Sequence, residues 1–412
     1  MKTGWQTNKL GDYYDITSSK RVFESEWKSS GVPFYRAREI VKLANQGSVQ
    51  NELFISDNMY NKYAEKYGVP KEDDIMVTGV GTLGICYVVK KNDKFYFKDG
   101  NIIWLKKKSD INSRFVEYAF KSETLKKQIA DNVGATVGTY TIIRAKNTLI
   151  PVPSASEQKR IVKILDEVFE KTEKAKVNAQ KNLQNTKDLF ESNLQKAFTK
   201  KDNTWITKTI DDCVAEGILF KPLDGNHGEI HPKKQDFVLK GVPFIMACDI
   251  KDGLVDEEHC KFINEKQAQN LRTGFAENDD VLLSHKGTIG RVGILKTDNK
   301  YDVLTPQVTF YRIRDSKKLL NKYIYYYFLT PKFQRELNDI ANGGSTRAYI
   351  GITKQLTLSI PIAPIIEQQS IVSQLDLLAK GTNKLKKIYP QKLNELEGLK
   401  KSILNQAFSG NL

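Results

Sequence analysis

Between Ser156 and Leu194, apolar or small side chains recur at Ile161, Leu165, Val168, Thr172, Ala175, Ala179, Leu183, Thr186, Phe190 and Leu194, three or four positions apart. That spacing is the seam of a coiled-coil helix, and Lys, Asn and Gln fill the outer faces. A second stripe runs through Ile371, Leu375, Leu378, Thr382, Leu385, Tyr389, Leu396, Leu399 and Ile403. About 43 residues at 1.5 Å each make a rod of roughly 65 Å. Ser156 is the expected N-cap of the first rod, with Pro153 just outside it. Pro390 interrupts the second stripe and predicts a kink or a local opening. Neither rod can bury so narrow a stripe alone. Each could pack back on its own globular domain, but the matching seams favour antiparallel pairing of the two rods with each other.

Ahead of each rod the pattern shortens. β-Branched and aromatic runs, "DIMVTG", "GICYVVK", "KFYF" and "IIWLK", predict strands separated by Gly-containing turns. A helical segment, "SRFVEYAFKSETLKKQIADN", follows them. The later counterpart reads "DVLLS", "GRVGILK" and "QVTFYRIR", then "KKLLNKYIYYYFLTPKFQRELNDI". Each such region reads as α+β.

The two halves are one unit written twice. Ile150-Pro151 and Ile360-Pro361 stand 210 positions apart. Glu157, Gln158, Ile161, Val162, Leu165 and Asp166 recur as Glu367, Gln368, Ile371, Val372, Leu375 and Asp376. "GVPFYRAREI" faces "GVPFIMACDI", "GTLG" faces "GTIG", and "NVGAT" faces "NGGST". A period this long excludes a solenoid. The expected plan is two duplicated α+β domains separated by two long antiparallel helices, with pseudo-two-fold symmetry. Residues 1–150 and 201–358 form the domains, and 151–200 and 359–412 form the rods.

The net charge of +15 makes a polyanion the first partner to consider. Four scattered cysteines suit reduced, cytoplasmic thiols better than a disulfide framework. No apolar run approaches the roughly 20 residues that cross a bilayer. The N-terminus shows no secretory h-region.

Absent motifs narrow the chemistry. There is no P-loop, no Rossmann fingerprint and no Asn/Asp-Pro-Pro-aromatic motif for base methylation. Asp302 with Asp315-Ser316-Lys317 loosely imitates a nuclease pattern, as charge-rich chains do by chance. His227 and His231 are spaced i, i+4 but lie in a loop, so no metal site is expected. Small-residue loops mixed with basic residues are present in duplicate. "SHKGTIGR" offers Lys286, Thr288 and Arg291, and its partner "TGVGTLG" offers Thr82. Glycines let a backbone approach phosphate closely, although a plain hairpin turn would also need them. "NVGAT" supplies Thr136, and "NGGSTR" supplies Ser345, Thr346 and Arg347, the last able to reach a base edge or a phosphate. "FYRAREI" puts Arg36 and Arg38 on one face of a strand-like segment, where the second copy has Met246 and Cys248. A kept scaffold with different side chains at these positions is the pattern expected if equivalent positions read different base pairs.

This ordered set resembles the specificity subunit of a type I restriction–modification system. "IPVPSASEQKRIV", "IPIAPIIEQQSIV", the two Gly-Thr-apolar-Gly loops and the ending "ILNQAFSGNL" carry the resemblance over essentially the whole chain. Ala363-Pro364 and Pro390 depart from the family's pattern. The resemblance implies that each domain reads half of a split site in double-stranded DNA. It implies helices that set the gap and dock two methyltransferase subunits, and through them restriction subunits. AdoMet, ATP and Mg²⁺ would belong to those partners, and this chain would be non-catalytic. Ile161, Leu165, Val168, Ile371, Leu375 and Leu378 are the candidate seam or docking residues. An autonomous nuclease and a coiled-coil scaffold without nucleic acid are the competing readings.

Overall fold

The computed structural model describes residues 4–130, 138–199, 204–342 and 349–412. Two compact units emerge: Met1–Gln180 with Gln391–Leu412, and Lys181–Pro390. Each holds one α+β globular part and half of each rod. The rods span Ala155–Ala197 and Ile365–Ser409.

In the first unit an antiparallel sheet runs in the order Tyr14–Thr17, Ile102–Lys107, Ile75–Thr78, Cys86–Val88. Its central strands are buried on both faces. The two-residue period of a strand sends Ile75, Val77, Ile103 and Leu105 into one core and Met76, Ile102 and Trp104 into another. The second unit repeats this division. Val281 and Leu283 join the large core, while Leu282 and Phe310 face a smaller one. A smaller sheet in each unit contains a parallel pair, Phe34 beside Tyr96 and Phe244 beside Val303, which the short apolar runs did not disclose.

The helical segment expected after the strands is two helices in both units. Ser113–Lys121 and Glu123–Ala130 break at Ser122, whose hydroxyl donates to the Ala119 carbonyl at 2.6 Å and accepts the Leu125 N–H at 3.4 Å. Asn321–Phe328 and Pro331–Asn342 break at Thr330, which bonds Tyr327 and Phe333 in the same way. A hydroxyl that satisfies backbone groups locally offers the chain an exit from the helix.

Each globular part meets its rod through a two-stranded antiparallel ribbon, Gln6–Lys9 with Leu149–Val152 and Ile206–Thr209 with Ser359–Ile362. Pro151 and Pro361 sit here, where no third strand needs their missing N–H. The first rod starts before the expected cap. Ser154, not Ser156, accepts the Glu157 N–H, because the chain turns helical directly after Pro153-Ser154. The second rod stays helical through Pro390, so no local opening occurs there.

Within the first unit the rod halves pair antiparallel. Lys176 Nζ lies 2.9 Å from Glu397, and Lys400 Nζ 2.9 Å from Glu173. Ile161 and Leu165 share a core with Leu404, Ala407 and Phe408, and also with Phe115 of the globular part. In the second unit Lys386 caps the Phe190 ring at 5.8 Å, and Leu194 shares a core with Ile371 and Leu375. The rods therefore both pair and pack on their domains. Val168 and Leu378 are half-buried, and buried Thr172 and Thr382 donate to their carbonyls at 2.8 and 2.9 Å. Leu399 is off the seam at 48% exposed; Lys400 takes the place, its ammonium 5.7 Å from the centre of the Phe169 ring.

Candidate nucleic-acid interface

The Gly-Thr-apolar-Gly loops are built alike. Thr78 and Ser284 end the central strands, and their hydroxyls accept the N–H of Ile85 at 3.0 Å and of Arg291 at 2.9 Å. Gly84 and Gly290 donate back to the Thr78 and Ser284 carbonyls at 2.9 Å. Gly81 and Gly287 have φ of 70° and 77° in open space. A Cβ on Gly84 would lie 2.7 Å from Ile129 Cδ1, and one on Gly290 2.2 Å from Gln334 Oε1. Turn geometry and close packing thus account for the glycines themselves. At the hairpin tips Thr82, Lys286 and Thr288 are exposed.

The chain that follows each small-residue loop returns to its hairpin. The Tyr140 N–H donates to Gly79 at 2.9 Å, and the Ile350 N–H to His285 at 3.0 Å. The hairpin and the flank of the second loop are therefore neighbours in both units, although about 60 residues separate them in sequence. Thr136, Ser345, Thr346 and Arg347 lie outside the described residues. Tyr349, which sequence reasoning missed, is 40% exposed, with Lys286 Nζ 5.6 Å above its ring. An aromatic directly after "NGGSTRA" was its only signal.

Arg291 is an anchor. Its guanidinium donates to the Ala247 and Cys248 carbonyls at 3.1 and 3.3 Å, tying the hairpin to that turn. Arg36 and Arg38 do not share a strand face. The strand ends at Tyr35, and Arg36 is the N-cap of the helix Ala37–Gln46. Glu39 decides this: it accepts the Arg36 N–H at 2.9 Å and pairs with both guanidiniums, while Arg38 also meets Glu52. These contacts hold the Glu39 carboxyl below its usual range, against the opposing effect of its burial. The second copy keeps the cap without the arginines, with Asp249 accepting the Met246 N–H at 2.8 Å. A carboxylate three residues after the cap position was the signal for this cap.

The repeated junction residues are a joint. The Gln158 side-chain carbonyl accepts the Asn112 N–H at 2.9 Å, and its amide donates to Pro153 at 3.0 Å. Gln368 does the same with Leu320 and Ala363. Asp166 bonds Arg114 and Tyr118; Asp376 bonds Lys322 and Tyr326. These recurring Gln and Asp residues fasten a domain to its rod.

The sequence model described as Type I restriction modification DNA specificity domain matches residues 2–185 and again 184–397. The chain belongs to this specificity-domain family. Each match covers one copy of the internal repeat, and the two globular parts are the family's target-recognition domains. The EcoBI specificity subunit of Escherichia coli is 22% identical over 99% of this chain and 86% of its own. The MjaVIII specificity subunit of Methanocaldococcus jannaschii is 24% identical over 79% of this chain and 80% of its own. A chain from a structure on complex assembly and conformational transition of the type I R-M system aligns with a TM-score of 0.74 at 19% identity. It covers 100% of this chain and 99% of that one. The HsdS subunit of Thermoanaerobacter tengcongensis aligns at 0.62 and 18%, over 100% and 98%. Both structures share the fold. No described helix is long and apolar enough to cross a membrane.

Proposed function

We propose that this chain is the DNA-recognition subunit of a type I restriction–modification complex. Each recognition domain reads one half of a bipartite site in double-stranded DNA. The paired rods set the gap and dock two methyltransferase subunits, and through them restriction subunits. The chain performs no chemistry itself: AdoMet, ATP and Mg²⁺ act in the partners, which methylate adenine or cleave unmodified DNA. Residues 1–150 and 201–358 are the exchangeable reading modules, and 151–200 and 359–412 the spacers.

The observation that carries this reading is the duplicated hairpin. Its glycines are consumed by the turn, yet its tip leaves Lys286, Thr288 and Thr82 facing solvent. A net charge of +15 supports a polyanion opposite them. Lys286 fits a phosphate contact, which adds affinity without sequence preference.

The test uses the chain assembled with its methyltransferase subunits. Lys286→Ala should weaken binding to every sequence and lower the slope of log affinity against log salt by about one. Replacing 201–358 with the matching domain of another family member should change one half of the methylated motif and leave the other. Unaltered binding by the first variant removes the hairpin from the interface. Loss of both half-sites in the exchange ends the modular reading.

A further inference from the structure

All four histidines of the chain lie in the second recognition domain, and two flank one buried carboxylate beside the hairpin. Asp224 Oδ2 is 2.9 Å from Nε2 of His227. A carboxylate only accepts, so in the neutral ring Nε2 carries the hydrogen and Nδ1 keeps its lone pair. That Nδ1 has no partner among the described residues, and the side chain is 51% exposed. The same Oδ2 lies 3.7 Å from Nε2 of His285, beyond hydrogen-bond distance. His285 is fully buried, its Nδ1 donates to the Ile350 carbonyl at 2.9 Å, and its Nε2 is unpartnered. Burial lowers this imidazole's pKa, which favours the neutral ring. His285 is followed directly by Lys286, and its ring lies 5.6 Å from Tyr349. A continuous polar cluster therefore runs from exposed His227 through Asp224 to the hairpin.

The loop bearing His227 is held rigidly. Asn226 donates to the Thr273 carbonyl at 2.6 Å and accepts the Arg272 N–H at 2.8 Å. The Thr273 hydroxyl donates to the Asp224 carbonyl at 3.1 Å. A Cβ on Gly225 would sit 1.9 Å from the Leu304 carbonyl oxygen, so the backbone packs there without a side chain. An exposed imidazole with one nitrogen fixed as a donor, on an immobilised loop beside a basic hairpin, is a prepared hydrogen-bond acceptor. The first domain has Gly79 and Val80 where the second has His285 and Lys286, and it contains no histidine.

We propose that His227, its tautomer set by Asp224, is a specificity-determining residue of the second recognition domain. Its Nδ1 accepts a hydrogen bond from the exocyclic amino group of an adenine or a cytosine on the major-groove edge of the second half-site. These are the amino donors which that groove displays. Asp224 is the positioning residue. The proposal rests on the hairpin facing DNA.

The experiment measures binding of the complex with methyltransferase subunits to duplexes varied one base pair at a time. His227→Ala should reduce discrimination at one position of the second half-site by roughly 10- to 100-fold, leaving the first half-site and the salt slope unchanged. Whether the preferred base there is adenine or cytosine identifies the donor. Asp224→Asn offers an amide donor to Nε2, which moves the ring hydrogen to Nδ1. It should shift preference at that same position toward an acceptor-bearing guanine or thymine, a change that mere loosening of the loop would not produce. If both variants keep the wild-type base preferences while Lys286→Ala weakens binding, the role of His227 is overturned and the hairpin reading stands. If Lys286→Ala is also without effect, the hairpin reading itself fails.

Discussion

The Tyr118 hydroxyl donates to the Asp166 carboxylate at 2.6 Å, which fastens a helix of the first recognition domain to the first rod. The second unit repeats the contact between Tyr326 and Asp376 at 2.7 Å. Burial pushes both phenols well above the ordinary tyrosine pKa, and the neighbouring carboxylates push the same way. The hydroxyls stay protonated donors throughout the physiological range. Two half-exposed aspartates 210 positions apart thus owe their recurrence to one packing task.

Removing that hydroxyl should loosen the joint without touching the Gly-Thr-apolar-Gly hairpins. Tyr326→Phe keeps the ring and should destabilise the second unit by about 1 kcal/mol. A thermal melt of the chain reads the loss. An unchanged melt would mean the bond contributes nothing net.

Gln368 is the more costly target. It is fully buried and serves the Leu320 N–H and the Lys318 and Ala363 carbonyls. Gln368→Ala leaves these groups unpaired and should cost about 1–3 kcal/mol. Denaturant unfolding should show a lower midpoint for the second unit.

The proposed spacing role predicts a length rule. Because the rod halves pair antiparallel, insertions belong in both rods, after Gln180 and after Pro390, where the compact units divide. Four residues add about 6 Å and turn the chain by about 40° beyond a full turn, which keeps the seam roughly in phase. At about 3.4 Å per base pair, the unspecified gap should grow by about one to two base pairs with both half-sites unchanged. Two residues turn the stripe to the far side and should abolish activity. Sequencing the methylated motif in cells decides it: an active four-residue variant with the original gap rules out the ruler.

Stability should also vary with pH through Glu257. Its partial burial and the nearby charge of buried Asp302 raise its carboxyl to about 7. The folded state therefore binds a proton that the unfolded chain releases near the usual glutamate value. Stability is favoured by acid and falls as pH rises from about 4.5 through 7. Glu257→Gln should flatten that part of the stability profile of the second unit, measured by unfolding midpoints across the range. An equally steep slope in the variant would exclude this group as the cause.

The rods, the strands and the internal repeat were legible in sequence because each depends on periodicity: three or four residues along a seam, two along a strand, one long offset between copies. Ile161, Leu165, Ile371 and Leu375 are buried on that seam. Some readings needed the fold. Arg36 and Arg38 read as neighbours on one strand face, but Glu39 and Glu52 lie against them at a helix start, and Arg291 in its loop is bound to two backbone carbonyls. Lys400 displaced Leu399 from the seam, its ammonium near the Phe169 ring and paired with Glu173. The cluster of Asp224, His227 and His285 joins residues up to 61 positions apart, a distance no local pattern spans. Sequence by itself determined which elements form and that they form twice, since backbone periodicity and burial are local properties of the chain. Only the tertiary structure decided which charges are already paired and which polar groups face outward together, since that depends on what long-range packing places opposite each side chain.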